Sequence, residues 1–311
     1  FAQAKAPKWM DKQKKAVVTI TTYKADGTTL HKGTGFFVSE DGKLLSSYTL
    51  FKDAQKAVVT TSDGKNYPID RVLAADELYD VIRLQARVGK KVDCLELADA
   101  PLAVGEEAYL MPFVEGGGKV KAFGNGKVEE ASKLKDAYHY YKLSFPLEMD
   151  WPNAPVLNAD GKVFGLAQED ASGKNDCSYA VSAAYANSLQ ISSTAAFSET
   201  YTNIGIRKAW PADREQARVA TYIIENTQDA KTFLETLNDF VATFPDWSES
   251  YLRRGTYYAQ HRGELGKDVD DCLRRATDDL DRAIELAERK SEAMFAKAQL
   301  VYQIALSDST L

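Results

Sequence analysis

The spacing of apolar and polar positions divides this chain in two near residue 190. Before that point the period is two. Val17, Thr19 and Thr21 alternate with Val18, Ile20 and Thr22 in a β-branched run, the pattern of a strand with unequal faces. Gly35–Val38, Ala57–Thr61, Val81–Leu84, Ala108–Met111, Lys162–Leu166 and Tyr179–Val181 continue the series, and Asp-Gly pairs at 26–27, 41–42, 63–64 and 160–161 cut it. Short strands punctuated in this way predict an all-β barrel or sandwich over residues 16–185.

After residue 200 the period changes to that of helices. The pattern predicts helices over 211–225, 229–243, 247–262, 268–289 and 291–306. Pro211 suits a first helical turn, where its missing N–H is not needed. Thr227, Asp229, Asp246 and Ser291 are cap or first-turn candidates. Such lengths and short links imply antiparallel helical hairpins, and the chain reads as two domains, 1–195 and 196–311.

Composition narrows the function classes. Of 311 residues, 44% are hydrophobic and 27% charged, so a core is available, and the net charge is -6. Residues 1–190 carry 24 Lys/Arg against 25 Asp/Glu, and residues 191–311 carry 15 against 20. The net negative charge argues against a general nucleic-acid binder, which needs a concentrated basic surface, and the acidic second half would steer a basic partner. Cys94, Cys177 and Cys272 form no C-x-x-C pair; they are either three buried thiols or one disulfide and a free thiol. No apolar run approaches the about 18 residues that span a membrane. Phe1–Ala4 reads as the remnant of a small-residue cleavage site ahead of a basic stretch, Lys5 to Lys15. Export to the periplasm or cell surface is the expectation, an arbitrary boundary the alternative.

Several segments, in order, carry a family resemblance. Lys32-Gly33-Thr34-Gly35-Phe36-Phe37-Val38 with Asp41-Gly42 resembles the opening strand pair of HtrA-type serine proteases, a branch of the chymotrypsin-like family. Leu44 to Ala54 resembles that family's histidine motif, and Glu77 to Leu84 its aspartate motif. Leu95–Asp99 and Val104–Glu106 resemble the segments that follow. Asn153-Ala154-Pro155-Val156-Leu157 through Gly165 resembles the end of its serine motif. The resemblance implies a chymotrypsin-like double β-barrel. The second half resembles tetratricopeptide repeats: Tyr251, Gly255 and Tyr258 give the large-small-large spacing of a first repeat helix, and Ala276, Leu280 and Ala283 the small-large-small spacing of a second. Phe233, Leu237 and Phe240 resemble the second helix of a preceding pair, and extra residues near Arg262–Lys267 lengthen the link. The fold class expected is therefore all-β plus all-α, the double barrel followed by a tetratricopeptide-like helical-hairpin array.

Carried onto this chain, the serine-protease motifs put Thr49 at the histidine position, Asp80 at the aspartate position and Pro152 at the serine position. Threonine does not titrate near neutral pH and cannot act as general base. Proline lacks both a nucleophile and the backbone N–H that the fold uses to hold an oxyanion. Ser46 and Ser47, near Thr49, have no candidate base beside them in sequence, and His31, His139 and His261 fall outside the motifs. No cofactor or metal motif is present: Gly116–Gly118 lacks the Lys-Ser/Thr of a phosphate loop. The expected function is a catalytically inactive protease homologue that binds a protein or peptide in the cell envelope. The candidate contacts are Trp151, Tyr138, Tyr140 and Tyr141 along the old cleft, whose other reading is core packing that plugs the site, and Arg253 and Arg254 on the helices, whose other reading is solvated charge. An active hydrolase with a displaced site and a glycan-binding surface protein are the alternatives. Membrane association and oligomeric state are not fixed by these patterns.

Overall fold

The computed structural model describes residues 5–266 and 268–309; the expected cleavage remnant, Phe1–Ala4, lies outside them, as do Lys267 and the last two residues. Contacts divide the chain into two units, residues 1–209 and 210–311.

The first unit contains two closed six-stranded antiparallel barrels with the same strand order. The first runs β1-β2-β3-β6-β5-β4 and the second β10-β11-β12-β9-β8-β7. Their strands are β1 (Val17–Tyr23), β2 (Thr29–Phe37), β3 (Lys43–Ser46), β4 (Lys56–Thr60), β5 (Asn66–Asp76) and β6 (Val81–Ala86), then β7 (Glu107–Leu110), β8 (Gly124–Lys135), β9 (Tyr138–Leu143), β10 (Pro155–Leu157), β11 (Val163–Gln168) and β12 (Ser178–Ser182). This is the chymotrypsin-like double barrel.

Consecutive apolar residues explain how the barrels meet. In a strand, neighbours point to opposite faces. Val18, Phe37, Leu44 and Ile82 fill the first barrel. Their sequence neighbours Val17, Phe36, Leu45 and Val81 turn outward into a second cluster. The second barrel does the same: Leu110, Val156, Phe164 and Ala180 point inside, while Met111, Leu157, Val163 and Val181 join the outward set. These two outward rows form one seam. Burying each side chain in it stabilises the pair by roughly 1.5–3 kcal/mol.

Two flanking segments brace the unit. Helix α1 (Met10–Gln13) sets Met10 in the seam, while the Trp9 indole donates to the Ala159 carbonyl at 3.0 Å and the Gln13 amide to the Gly161 carbonyl at 3.0 Å. Gly161 sits at φ 77° directly beneath the Trp9 ring, where a Cβ would lie 2.8 Å from it. Lys14, almost fully buried, donates to the carbonyls of Gly117 and Gly118.

At the other end the chain does not leave the barrel at residue 195, as the pattern predicts. After α2 (Ala183–Ser188) and α3 (Glu199–Thr202), the Val72 amide donates to Arg207 at 2.9 Å and the Ala209 amide to Val72 at 2.7 Å. The Tyr201 hydroxyl bonds both the amide and the carbonyl of Ala75, and Ile204 and Ile206 enter the first core. Arg207, Arg87 and Arg71 surround Asp70; burial pushes that carboxyl up, but the three guanidiniums hold it down at about 2. The boundary therefore falls between Ala209 and Trp210.

Among its described residues the second unit has five helices: α4 (Arg214–Glu225), α5 (Ala230–Thr243), α6 (Ser248–Gln260), α7 (Val269–Leu286) and α8 (Lys290–Ser309). Asp213, Asp229 and Asp268 cap α4, α5 and α7 by accepting from backbone amides at 2.8–3.0 Å. Pro211 precedes the first of these caps rather than occupying the first turn, and Thr227 closes α4 instead of opening α5, its hydroxyl donating to Ile224. Phe233, Leu237, Phe240, Tyr257, Cys272, Ala276 and Leu280 form the core. Gly255 brings α6 and α7 together: a Cβ there would lie 3.1 Å from the Ala276 carbonyl and 3.0 Å from the Asp279 Cβ.

The cysteines are all thiols: Cys177 and Cys272 are buried and Cys94 is half-buried. Among the described residues no helix is long and apolar enough to cross a membrane.

The new boundary makes a prediction. A barrel fragment ending at residue 209 melts as one cooperative unit, whereas one ending at 195 melts several degrees lower, because the partners of Val72 and Ala75 and two core isoleucines are gone. Thermal denaturation followed by circular dichroism compares the two.

Candidate functional site

Where the two barrels meet, the residues expected at the catalytic positions come together in space. Thr49 lies on a single 3-10 turn, Tyr48–Leu50, that follows β3. Asp80 ends the β5–β6 loop at φ 51°, a left-handed conformation that aspartate tolerates better than most residues. One carboxylate oxygen of Asp80 accepts both the Thr49 amide at 2.7 Å and the Thr49 hydroxyl at 2.9 Å. Burial pushes this carboxyl up, against the opposing pull of the Thr49 bonds. The side chain that resemblance puts in the place of an imidazole is thus the one that satisfies Asp80.

The loop before β10 completes the arrangement. The Trp151 amide donates to Glu148 and the Ala154 amide to Trp151, both at 3.0 Å, which winds the loop tightly. Pro152 is half-buried and has no N–H to offer. Asn153 adopts φ 67°; its amide donates to the Ala167 carbonyl at 2.8 Å and its side chain reaches across the seam to the Ser47 hydroxyl at 3.3 Å. Ser46 donates its hydroxyl to the Thr34 carbonyl at 2.8 Å. Neither serine meets an imidazole. His31 lies on the exposed first half of β2, and His139 sits on β9 beside Tyr141 at 6.1 Å between ring centres. His261 belongs to the helical unit, stacked on Tyr257 at 4.1 Å.

The expected binding residues need correction. Trp151 is mostly core: it is 8% exposed and packs in the second barrel with Tyr141, Phe145 and Phe164, and the little that is exposed lines a groove with Pro112, Phe113 and Glu148. Tyr141 is buried in the same cluster, edge-on to Phe164 at 5.0 Å. A large apolar ring gains more from this core than from solvent. Tyr140 stacks on Tyr179 and donates its hydroxyl to Gln168 at 2.8 Å, and Tyr138 packs against Tyr185 at 5.5 Å. Arg253 is buried, bonded to Thr221 and Glu225 and laid over the Tyr222 ring at 4.2 Å. Arg254 grips Asp279 with two nitrogens at 2.7 and 2.8 Å. Both guanidiniums are held by internal carboxylates and do not project to receive an acidic ligand.

An open groove of about 750 Å³ lies beside Pro152, between the outer face of the β4-β1-β2 sheet and the loops around Phe113 and Asp150. Thr19, Thr21, Thr34, Thr60 and Ser62 line it, with Lys32, Leu50, Glu115, Met149 and Asn153. Sequence reading missed it as a site. The alternating threonines of β1 announce a strand, but nothing local says that two distant loops will wall in its outer face.

Among the described residues, ligand atoms gather close enough for a metal at Asp170, Asp176 and Cys177. Asp170 is already bonded to the amide and hydroxyl of Ser172, and burial, with Asp170 alongside, pushes the Cys177 thiol up. A protonated thiol is a poor ligand.

Comparison with known proteins agrees with the barrels. Residues 33–166 match the trypsin-like peptidase domain. The chain is 27% identical over 161 residues to the anti-sigma-I factor RsgI9 of Acetivibrio thermocellus, covering 51% of this chain and 22% of that protein. It is 29% identical over 149 residues to a probable periplasmic serine endoprotease, DegP-like, of Chlamydia muridarum, covering 46% of this chain and 29% of that protein. The corresponding protein of Chlamydia trachomatis is 28% identical over the same length. The chain therefore spans less than a third of the length of these relatives.

The geometry at Asp80 sets a pH dependence. An acid whose pKa is higher in the folded chain costs stability as pH rises from the ordinary 3.8 through the raised value. Asp80→Asn keeps an acceptor for Thr49 and removes the titration. Its stability relative to the parent chain rises across that window and is level above it, as read by urea unfolding from about pH 3 to 7. A relative stability that falls with pH would show that the Thr49 bonds outweigh burial.

Proposed function

We propose that this chain is a non-catalytic member of the trypsin-like fold, a binding protein of the cell envelope. The observation that carries the reading is the Thr49–Asp80 pair. A serine peptidase needs its carboxylate to orient an imidazole; here the carboxylate is engaged by a hydroxyl and an amide of a residue that cannot take up a proton near neutral pH. Pro152 supplies neither nucleophile nor oxyanion donor, and the buried Trp151 ties the adjoining loop into the barrel core.

The helical unit supplies the surface for a protein partner on this reading. The close packing of α6 on α7 around Gly255, with Tyr258, Ala276 and Leu280 in the same core, supports a tetratricopeptide-like hairpin. Met294, Phe295, Val301 and Tyr302 leave α8 with a largely exposed apolar row, a kind of surface that suits a protein partner. The names of the relatives, a periplasmic endoprotease and an anti-sigma factor, support export.

The protein accordingly gives no labelling with a fluorophosphonate serine probe and no casein digestion. Thr49→His combined with Pro152→Ser remains inert, because the loop that would carry the new serine is still anchored by Trp151. Labelling of the parent chain that a single serine substitution abolishes would replace this reading with that of a hydrolase.

A further inference from the structure

Resting on the reading of the barrel unit as a binding module, we propose that the groove beside Pro152 takes a neutral polyhydroxylated ligand, a short oligosaccharide. Its floor is built from side chains of three paired strands. Thr60 on β4, Thr19 on β1 and Thr34 on β2 stand directly opposite one another, and Thr21 and Lys32 form the next row. Strand β1 is paired on both sides, so its backbone donors and acceptors are spent in the barrel. An extended peptide cannot add to this floor as a strand, because that mode needs a free edge. What the floor presents is hydroxyl groups.

Thr60 spends its hydroxyl on the Asn66 side-chain oxygen at 2.7 Å; the others are unspent or nearly so. Thr19, Thr21 and Ser62 make no side-chain hydrogen bond to any described residue. Thr34 is 5% exposed, and its hydroxyl reaches only the Asp150 carbonyl at 3.5 Å, the limit of such a bond. Ser62 lines the groove at 7% exposure and its hydroxyl has no hydrogen bond to a described residue, while its carbonyl accepts the Gly116 amide at 2.9 Å and so fixes the loop that walls the groove. The Ser62 hydroxyl is not sealed from solvent, and a ligand with its own hydroxyls takes the place of water there as both donor and acceptor.

The walls point the same way. Lys32, Glu115 and Asp150 have no ion pair among the described residues. An anion entering the groove meets two carboxylates, and a cation meets the ammonium. A neutral polyol donates to the carboxylates and accepts from Lys32. Phe113, half-buried, and Met149, 94% exposed, give apolar surface for the C–H face of a sugar ring. A volume of about 750 Å³ falls within the usual range for ligand sites.

The test is isothermal titration calorimetry of the full chain with cellotetraose, maltotetraose, xylotetraose and tetra-N-acetylchitotetraose. A Ser/Ala-alternating octapeptide serves as the peptide probe. At least one tetrasaccharide binds with a dissociation constant of about 1 mM or tighter, and the octapeptide does not. Thr19→Val/Thr21→Val keeps strand propensity and shape on a half-buried face and weakens that binding about tenfold or more. Lys32→Met, on the exposed side of β2, weakens it severalfold, and provides a second variant should the double valine change fold poorly. No binding of any tetrasaccharide, binding of the octapeptide in their place, or full binding by these folded variants overturns the inference. Casein digestion by the same sample would overturn the reading beneath it, so the two failures are told apart.

Discussion

The structure depends on a seam. Each barrel must close around its own interior and also lie against the other, and a strand can serve both needs only by placing apolar residues side by side. Val17-Val18, Phe36-Phe37, Leu44-Leu45 and Val81-Ile82 do this on one side, Met111 after Leu110 and Val181 after Ala180 on the other. The doubled apolar positions bring the turn after β3, the β5–β6 loop and the loop before β10 to one place. The Asn153 to Ser47 bond and the Thr34 to Asp150 contact both cross between the barrels there.

What the seam assembles is a carboxylate partnered by Thr49. The residue that the motif resemblance puts at the histidine position folds back to satisfy Asp80 through two bonds to one oxygen. The neighbouring loop uses its largest residue, Trp151, as core rather than as a surface. Catalytic geometry and core packing compete for the same loop, and here packing has taken the tryptophan. The polar groups that remain available lie further along, where the outer face of β1 meets the Phe113 and Asp150 loops.

The fold was largely legible. The apolar spacing of Phe233, Leu237 and Phe240 predicts a helix over 229–243, and α5 runs Ala230–Thr243. The four Asp-Gly turns hold glycines at φ 77–93°, where that residue is least strained. Strand β8 was not legible: most of its twelve residues are exposed, and Lys and Glu dominate, so no period-two contrast survives. Residues 196–209 read as the start of the helical half because Ile204 and Ile206 are too short a pattern to mark an element, and their place is set by hydrogen bonds to β5. At the site, the motif resemblance singled out Thr49 and Asp80, and the structure brings these two into hydrogen-bond contact. For Trp151 and Tyr141 the sequence left core packing and cleft contact both open, since alternation does not say which face is inside. The burial of Arg253 was not legible, because its Glu225 and Thr221 partners stand on another helix.

The claim on which the account turns is that Thr49 is the partner of Asp80. A double-mutant cycle with Thr49→Val and Asp80→Ala, read by urea unfolding at neutral pH, measures that partnership directly. The account predicts a coupling of about 1 kcal/mol or more, within the range for residues in contact. Additive effects, with coupling below about 0.3 kcal/mol, would contradict it, because Asp80 would then be held by something other than the hydroxyl of Thr49.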